Sequence, residues 1–186
     1  MHTTTRRLIA GNKITPRELN TIRDERIALP APNGLTHLQF RRFAGCPICN
    51  VHLHKLAVRH AELVAAGILE IAIFHSSPEA MRPHQGALPF AAVADPAREL
   101  YREFGVEQSP KAVLHPSAFT TPLRPAAWAA VARGLRAGGR PSPKGDGALG
   151  LPADFLINPE GQLVAAHYGR HANDQWSVDD LLRLAS

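Results

Sequence analysis

An α/β fold, with a central mixed β-sheet between layers of helices, is what three features of the sequence predict. The first is a strand–helix–strand order: Thr36–Phe40, a helical stretch after Gly45, then Ile68–Phe74. That order is the pattern of two parallel neighbouring strands joined by a crossover helix. The second is the composition of Ile68–Phe74, a nearly continuous apolar run rich in β-branched residues. A strand covered on both faces needs such a run. The third is a pair of strand-like segments, Ala153–Ile157 and Gln162–His167, flanking Asn158-Pro159-Glu160-Gly161. This turn-forming connection predicts a hairpin near the C-terminus.

The remaining elements follow in order. Thr15-Pro16-Arg17-Glu18 reads as a helix start, with Thr15 as cap, Pro16 at the first helical position and Glu18 completing a capping box. The predicted helix runs to about Glu25 and makes residues 1–27 an N-terminal helical extension to a domain over 28–186. Pro30, Pro32, Asn33 and Gly34 then break the chain. After Gly45, Leu53, Leu56, Ala57, His60, Leu63 and Val64 fall at helical spacing, and Gly67 is a natural stop. Leu88–Val93 reads as a strand, and Asp95 as the cap of a helix ending at Gly105. Residues from about 108 to 150 are rich in Pro, Gly, Ala and Arg, with one plausible helix over Pro125–Leu135. They read as an insertion before the hairpin. Ser177 caps a last helix, Val178–Leu184.

Composition bounds the function. A chain of 186 residues, 45% apolar and 20% charged, can bury one sizeable core. No apolar run reaches the roughly 18 residues of a membrane-spanning helix. The net charge of +5 comes from 21 Lys and Arg against 16 Asp and Glu, without a dense basic run. It describes a solvated basic surface better than a nucleic-acid interface. The opening MHTTTRRLIAGNK has basic residues but no apolar stretch of a secretion signal. The two cysteines sit in one CxxC, whereas a secreted disulfide scaffold carries more at wider spacing. The expected setting is the reducing cytoplasm, where a CxxC is catalytic or metal-binding.

Its position favours catalysis. Cys46 precedes a helix and Cys49 lies in the first turn, where unpaired N–H groups and the helix dipole favour a thiolate. Pro47 suits the first helical position. Cys49 lies four residues before Leu53, on the core-facing stripe, and is expected to be the more buried thiol. A zinc reading is available, because Cys46, Cys49, His52 and His54 supply four ligand types. On one continuous helix, however, His52 and His54 point about 200° apart. No second CxxC offers a partner, so no metal and no cofactor is assigned.

Several segments resemble the peroxiredoxin-like branch of the alkyl hydroperoxide reductase and thiol-specific antioxidant superfamily. They are Leu38-Gln39-Phe40-Arg41-Arg42-Phe43-Ala44-Gly45-Cys46-Pro47-Ile48-Cys49, Phe74-His75-Ser76, Leu88-Pro89-Phe90 through Asp95-Pro96, and Gly150-Leu151-Pro152-Ala153-Asp154-Phe155-Leu156-Ile157. The resemblance implies a thioredoxin-like (peroxiredoxin-like) three-layer fold and a thiol-dependent peroxidase. Cys46 would attack a hydroperoxide, Cys49 would resolve the sulfenic acid, and a thioredoxin- or glutaredoxin-type reductant would reset the pair. It also implies a cis bond at Pro152 facing the thiols, and it leaves a homodimer open.

Two positions depart from the pattern. Gln39 and Phe43 stand where a typical peroxiredoxin has a proline and a threonine or serine, so the expected hydroxyl is missing. Arg41 or Arg42 could supply positive charge, and strand alternation sends one of them toward the site, with Arg42 preferred. Arg124 and Arg170 are candidates for the family's later arginine, and His75 for a proton carrier. Trp128 and Trp176 are expected to pack the core or an interface, with a place lining substrate entry as the alternative. Three functions compete: the peroxidase, a thiol–disulfide exchanger acting on protein thiols, and a redox-sensing binding module.

Overall fold

A hairpin, not a helix, leads into the sheet. In the computed structural model, which describes residues 7–106 and 150–186, β1 (Arg17–Asn20) pairs antiparallel with β2 (Arg26–Leu29). The helical extension expected from the Thr15–Glu18 capping signal is therefore corrected. Leu19, Ile22 and Leu29 are all buried in this arrangement, while Glu18 is exposed. Tertiary burial of those three apolar side chains overrides a local propensity of a few tenths of a kcal/mol per residue. The turn is closed by Thr21, whose N–H donates to the Glu25 carbonyl and whose hydroxyl accepts from the Arg23 and Glu25 N–H groups. Asp24 takes the left-handed conformation there, at φ 62°, a role its short polar side chain tolerates.

The central sheet comprises β3 (Leu35–Phe40), β4 (Ile68–Phe74), β5 (Ala91–Ala94), β6 (Ala153–Ile157) and β7 (Leu163–Tyr168), in the order β5-β4-β3-β6-β7. β3, β4 and β5 run parallel, while β6 and β7 are antiparallel, so the sheet is mixed as predicted. The helices are α1 (Pro47–Val58), α2 (His60–Ala65), α3 (Pro78–Gln85), α4 (Glu99–Glu103) and α5 (Val178–Ala185). The single long helix read from Leu53 to Val64 is divided at Arg59 into α1 and α2. Leu53, Leu56 and Leu63 are buried as expected, but Val64 is exposed. The sequence reading missed α3, although Ser77 caps it by accepting from the Ala80 N–H and Pro78 opens it. Asp95 caps α4 from a distance, its carboxylate accepting from the N–H groups of Glu99, Leu100 and Tyr101. Ser177 and Asp180 form a full capping box on α5. Of the expected insertion over 108–150, all but Gly150 lies outside the described residues.

Strand alternation divides the core in two. Leu38, Phe40, Ile71, Ile73, Phe155 and Ile157 point to one face, against β1, β2 and α4. Ala72 and Phe74 point to the other, against Leu53, Leu56 and Leu63 of the α1–α2 pair and Leu181 of α5. The chain entering β3 passes tight against the chain entering β4 at Gly34, whose φ is +78°. A Cβ there would lie 2.2 Å from the Gly67 carbonyl oxygen. Gly34→Ala is expected to cost about 2 kcal/mol or more, read as a lower urea midpoint at unchanged slope.

Candidate active site

The loop after β3 turns at Gly45, at φ +73°, and delivers Cys46 to the N-cap of α1. Pro47 opens the helix, and Cys49 follows in its first turn. Both cysteines are free thiols, with Cys46 1% and Cys49 0% exposed. The Cys49 thiol hydrogen-bonds to the Cys46 sulfur, and this lowers the Cys46 pKa. Burial opposes it. The Arg42 charge and the N–H groups of Cys49 and Ile48 help, and Cys46 settles at about 6. The same hydrogen bond and burial push Cys49 well above the ordinary thiol range. At neutral pH the pair therefore holds one proton, and Cys49 carries it. This is the arrangement of a nucleophilic thiolate with a protonated partner.

Of the two arginines, Arg42 reaches Cys46, its Nη1 lying 3.9 Å from the sulfur. The Arg42 guanidinium also lies over the Phe43 ring, 5.6 Å from its centroid. Phe43 thus occupies the place of the expected hydroxyl and packs against the arginine. The hydroxyl of Ser76 enters the loop from the end of β4, but it accepts from the Ala44 N–H at 2.9 Å. His75 is buried with its ring edge-on to Tyr101. A Cβ on Gly150 would stand 3.5 Å from His75 Nε2 and 3.8 Å from Arg42 Cγ. His75 and Arg42 therefore flank the same glycine.

Other expected residues fall elsewhere. The Leu151–Pro152 bond is trans, which corrects the cis assignment; among the described residues the cis X–Pro bond is Leu29–Pro30. Pro152 instead extends the ladder at the start of β6, its carbonyl accepting from the Gly169 N–H at 2.9 Å. Arg170 is exposed, with its backbone N–H bonded to Asp174. Arg124 and Trp128 lie outside the described residues. Trp176 packs between the rings of His37 and His167, at 5.9 and 6.0 Å. His52 turns inward to Arg41 at 3.2 Å, while His54 is exposed. Among the described residues no group of three or more His, Cys, Asp or Glu side chains is placed to hold a metal.

A buried ionic network beneath α1 escaped the sequence reading. His37, Gln39 and Arg41 leave β3 on the face opposite Leu38 and Phe40, and each is 0% exposed. His37 bonds Glu70 through Nδ1 at 2.8 Å and Asp154 through Nε2 at 3.1 Å. Gln39 donates to Glu70, and Arg41 donates to Asp154 at 2.7 Å and to Gln39 at 3.0 Å. Burial pulls the His37 pKa down, but the Glu70 charge and the hydrogen bonds to Asp154 and Glu70 outweigh it, raising it to about 9. Burial pushes Asp154 up, but the Arg41 charge and the His37 hydrogen bond hold it well below the usual carboxylate range. The signal available in sequence was the registered pair His37 and Glu70, polar residues facing each other on two central strands.

These shifts set a pH window for stability. A raised pKa stabilises fully below the unfolded value of 6.5 and is lost as pH climbs through about 9. A depressed carboxylate stabilises above its unfolded value and is lost as pH falls through its lowered one. Unfolding free energy from urea titrations is expected to fall by a few kcal/mol as pH rises from about 6.5 to about 9. A flat profile over that window would contradict a protonated His37.

The family comparison adds to this geometry. A model described as AhpC/TSA antioxidant enzyme matches residues 55–171, more than half of the chain. The chain belongs to the AhpC/TSA antioxidant enzyme family. The matched residues begin past Cys49, so the thiol pair stands on its own geometry. Family membership and the Cys46–Cys49 pair together make the chain a thiol oxidoreductase. A comparison with curated proteins finds no match.

Solved structures carry the same fold at low identity. Peroxidoxin BcpB from Mycobacterium tuberculosis superposes with a TM-score of 0.66 at 12% identity, covering 96% of each chain. A peroxiredoxin-like protein from Aquifex aeolicus gives 0.65 at 12% identity, covering 98% of this chain and 88% of its own. The bacterioferritin comigratory protein of Xanthomonas campestris gives 0.60 at 16%, covering 91% and 89%. This AhpC/TSA member thus has the peroxiredoxin form of the thioredoxin-like fold. No helix among its described residues is long and apolar enough to cross a membrane.

Proposed function

We propose that the protein is a thiol-dependent peroxidase in which Cys46 is the peroxidatic nucleophile and Cys49 the resolving thiol. The observation that carries the reading is the Cys46 sulfur, held as thiolate by the Cys49 thiol with Arg42 at 3.9 Å. The thiolate attacks the terminal oxygen of ROOH and the O–O bond breaks. The departing RO⁻ takes a proton to give ROH, leaving a sulfenic acid on Cys46. The Cys49 sulfur then displaces the sulfenic oxygen; a disulfide forms and one water leaves. An external dithiol of the thioredoxin or glutaredoxin type returns two electrons. Both thiols lie on one chain, so the cycle needs no second copy. A chain whose two cysteines both sit in one CxxC fits a reducing compartment such as the cytoplasm.

Arg42 supplies the cation beside the reacting sulfur, and its place over Phe43 fixes it there without a hydroxyl. The alkyl peroxide reduction activity described for the Xanthomonas structural relative supports hydroperoxides as the substrate class. Phe43 favours the second reading, exchange with protein disulfides, because no side-chain hydroxyl orients a peroxide at its usual place. The two readings separate in a Cys49→Ser variant. One equivalent of hydrogen peroxide or of an organic hydroperoxide is expected to give a dimedone-trappable sulfenic acid on Cys46 by mass spectrometry. No adduct at Cys46, together with a mixed disulfide to a protein thiol in cells, would favour exchange instead.

A further inference from the structure

A cavity of about 370 Å³ opens where the second half of α1 meets the start of α5. His52, Lys55 and Leu56 line one wall, and Ser177, Val178 and Asp179 the other. Its volume falls at the lower end of the range for small-molecule sites. The chemistry proposed above uses none of these residues. His52 presents a fixed donor. Arg41 Nη2 lies 3.2 Å from His52 Nε2, and a guanidinium only donates. Nε2 is therefore the acceptor, and the ring proton sits on Nδ1. Burial and the Arg41 charge keep the ring neutral, with its pKa at about 3. No described residue accepts from Nδ1–H, which leaves it to the cavity that His52 lines.

Three further groups complete the lining. Lys55 is exposed and pairs with no described carboxylate. Arg59, by contrast, is committed, its guanidinium holding Glu62 and Asp179, each at 2.7 Å. Val178 and Asp179 open α5, so their N–H groups have no intrahelical acceptor, and the Ser177–Asp180 capping box takes neither. The positive end of the helix dipole favours an anion there. The wall also holds an orphaned acceptor. Gln175 donates through Nε2 to the Ala172 carbonyl at 3.3 Å, while its Oε1 is buried without a hydrogen-bond partner among the described residues. A buried polar atom left unpaired in a cavity wall calls for a ligand or water to complete it.

We propose that this cavity binds a small carboxylate with an amide N–H beside it, the chemistry shared by a peptide C-terminus and a free N-acyl amino acid. The carboxylate takes the Lys55 ammonium, the His52 Nδ1–H and the first N–H groups of α5. The amide N–H meets Gln175 Oε1. An apolar side chain on the ligand lies against Leu56 and Val178, both buried. Arg59 and Asp179 cancel and His52 is neutral, so Lys55 leaves the lining with one positive charge, which matches a monoanion.

The test titrates the whole reduced chain, isotope-labelled for NMR, with N-acetyl-leucine and follows the backbone amide shifts. A dissociation constant of about a millimolar is expected, the strength that a ligand of about a dozen heavy atoms attains. The shifts should centre on Lys55, Val178 and Asp179. N-acetyl-leucinamide, which lacks the carboxylate, is expected to bind roughly tenfold more weakly. Isocaproate, which lacks the N–H, should lose a factor of about five. Lys55→Gln, at an exposed position, is expected to weaken N-acetyl-leucine roughly fivefold, and Lys55→Arg to keep it. Gln175→Leu should erase the difference between N-acetyl-leucine and isocaproate. Equal binding of acid and amide, unchanged affinity in Lys55→Gln, or no saturable shift up to about twentyfold above the expected constant overturns the proposal. Glycylglycylleucine separates the two sources: tighter binding than N-acetyl-leucine assigns a peptide C-terminus, weaker binding a free acid. None of these readings depends on the thiols, so failure of the peroxidase reading leaves them standing.

Discussion

Replacing Cys46 by serine is expected to reduce peroxide consumption about a thousandfold or more, to the level of a protein without a reactive thiol. The expectation follows from the division of the single proton. Cys46 holds the charge at about pKa 6, whereas Cys49 is protonated throughout the neutral range. Removing Cys49 has a different effect. Cys49→Ser keeps a donor to the Cys46 sulfur, so the first oxidation survives and the enzyme stops after one turnover. Cys49→Ala removes the donor, the largest cause of the lowered Cys46 pKa. It should move the pH midpoint of the first step upward as well. Peroxide consumption in a reductant-coupled assay and single-turnover rates against pH separate the three variants. Equal loss in Cys46→Ser and Cys49→Ser single turnovers would contradict the assigned roles.

His37→Leu is expected to be the most damaging change away from the thiols, at about 3–5 kcal/mol. It strands Glu70, 0% exposed, with Gln39 as its remaining hydrogen-bond partner shown here, and takes one of the two cations from Asp154. The double variant His37→Leu/Glu70→Leu removes both members of one pair and leaves Arg41 with Asp154. It should recover a large part of the loss, because a missing buried pair costs far less than a broken one. A double-mutant cycle from urea unfolding measures the coupling. A His37→Leu loss below about 1 kcal/mol would mean that the network is not charged as described.

The legible parts of the fold were those whose signal is local and repeated. The apolar run of β4, the period of α1 and the turn between β6 and β7 each state their structure within a dozen residues. The N-terminal hairpin was misread because Thr15-Pro16-Arg17-Glu18 carries a good local helix start. What decides the outcome is the burial of Leu19, Ile22 and Leu29 against distant residues. Cys46 and Cys49 were legible because a CxxC between a strand and a helix leaves little choice of geometry. The ionic network was not. It joins β3, β4, β6 and α1, and His37, Asp154 and Arg41 look like ordinary polar residues until strand order places them together. Pro152 shows the limit of a motif: a proline before a strand is compatible with either isomer, and this one is trans.

Stopped-flow mixing of the reduced protein with one equivalent of hydrogen peroxide, followed by acid quench and mass spectrometry across pH, tests the central claim most directly. The account predicts oxidation of Cys46 well above the rate of a free thiol. The rate should reach half its plateau near pH 6, and loss of two hydrogens should follow as the disulfide closes. Oxidation no faster than a free thiol, or a rate still climbing near the ordinary thiol pKa of about 8.5, would contradict it.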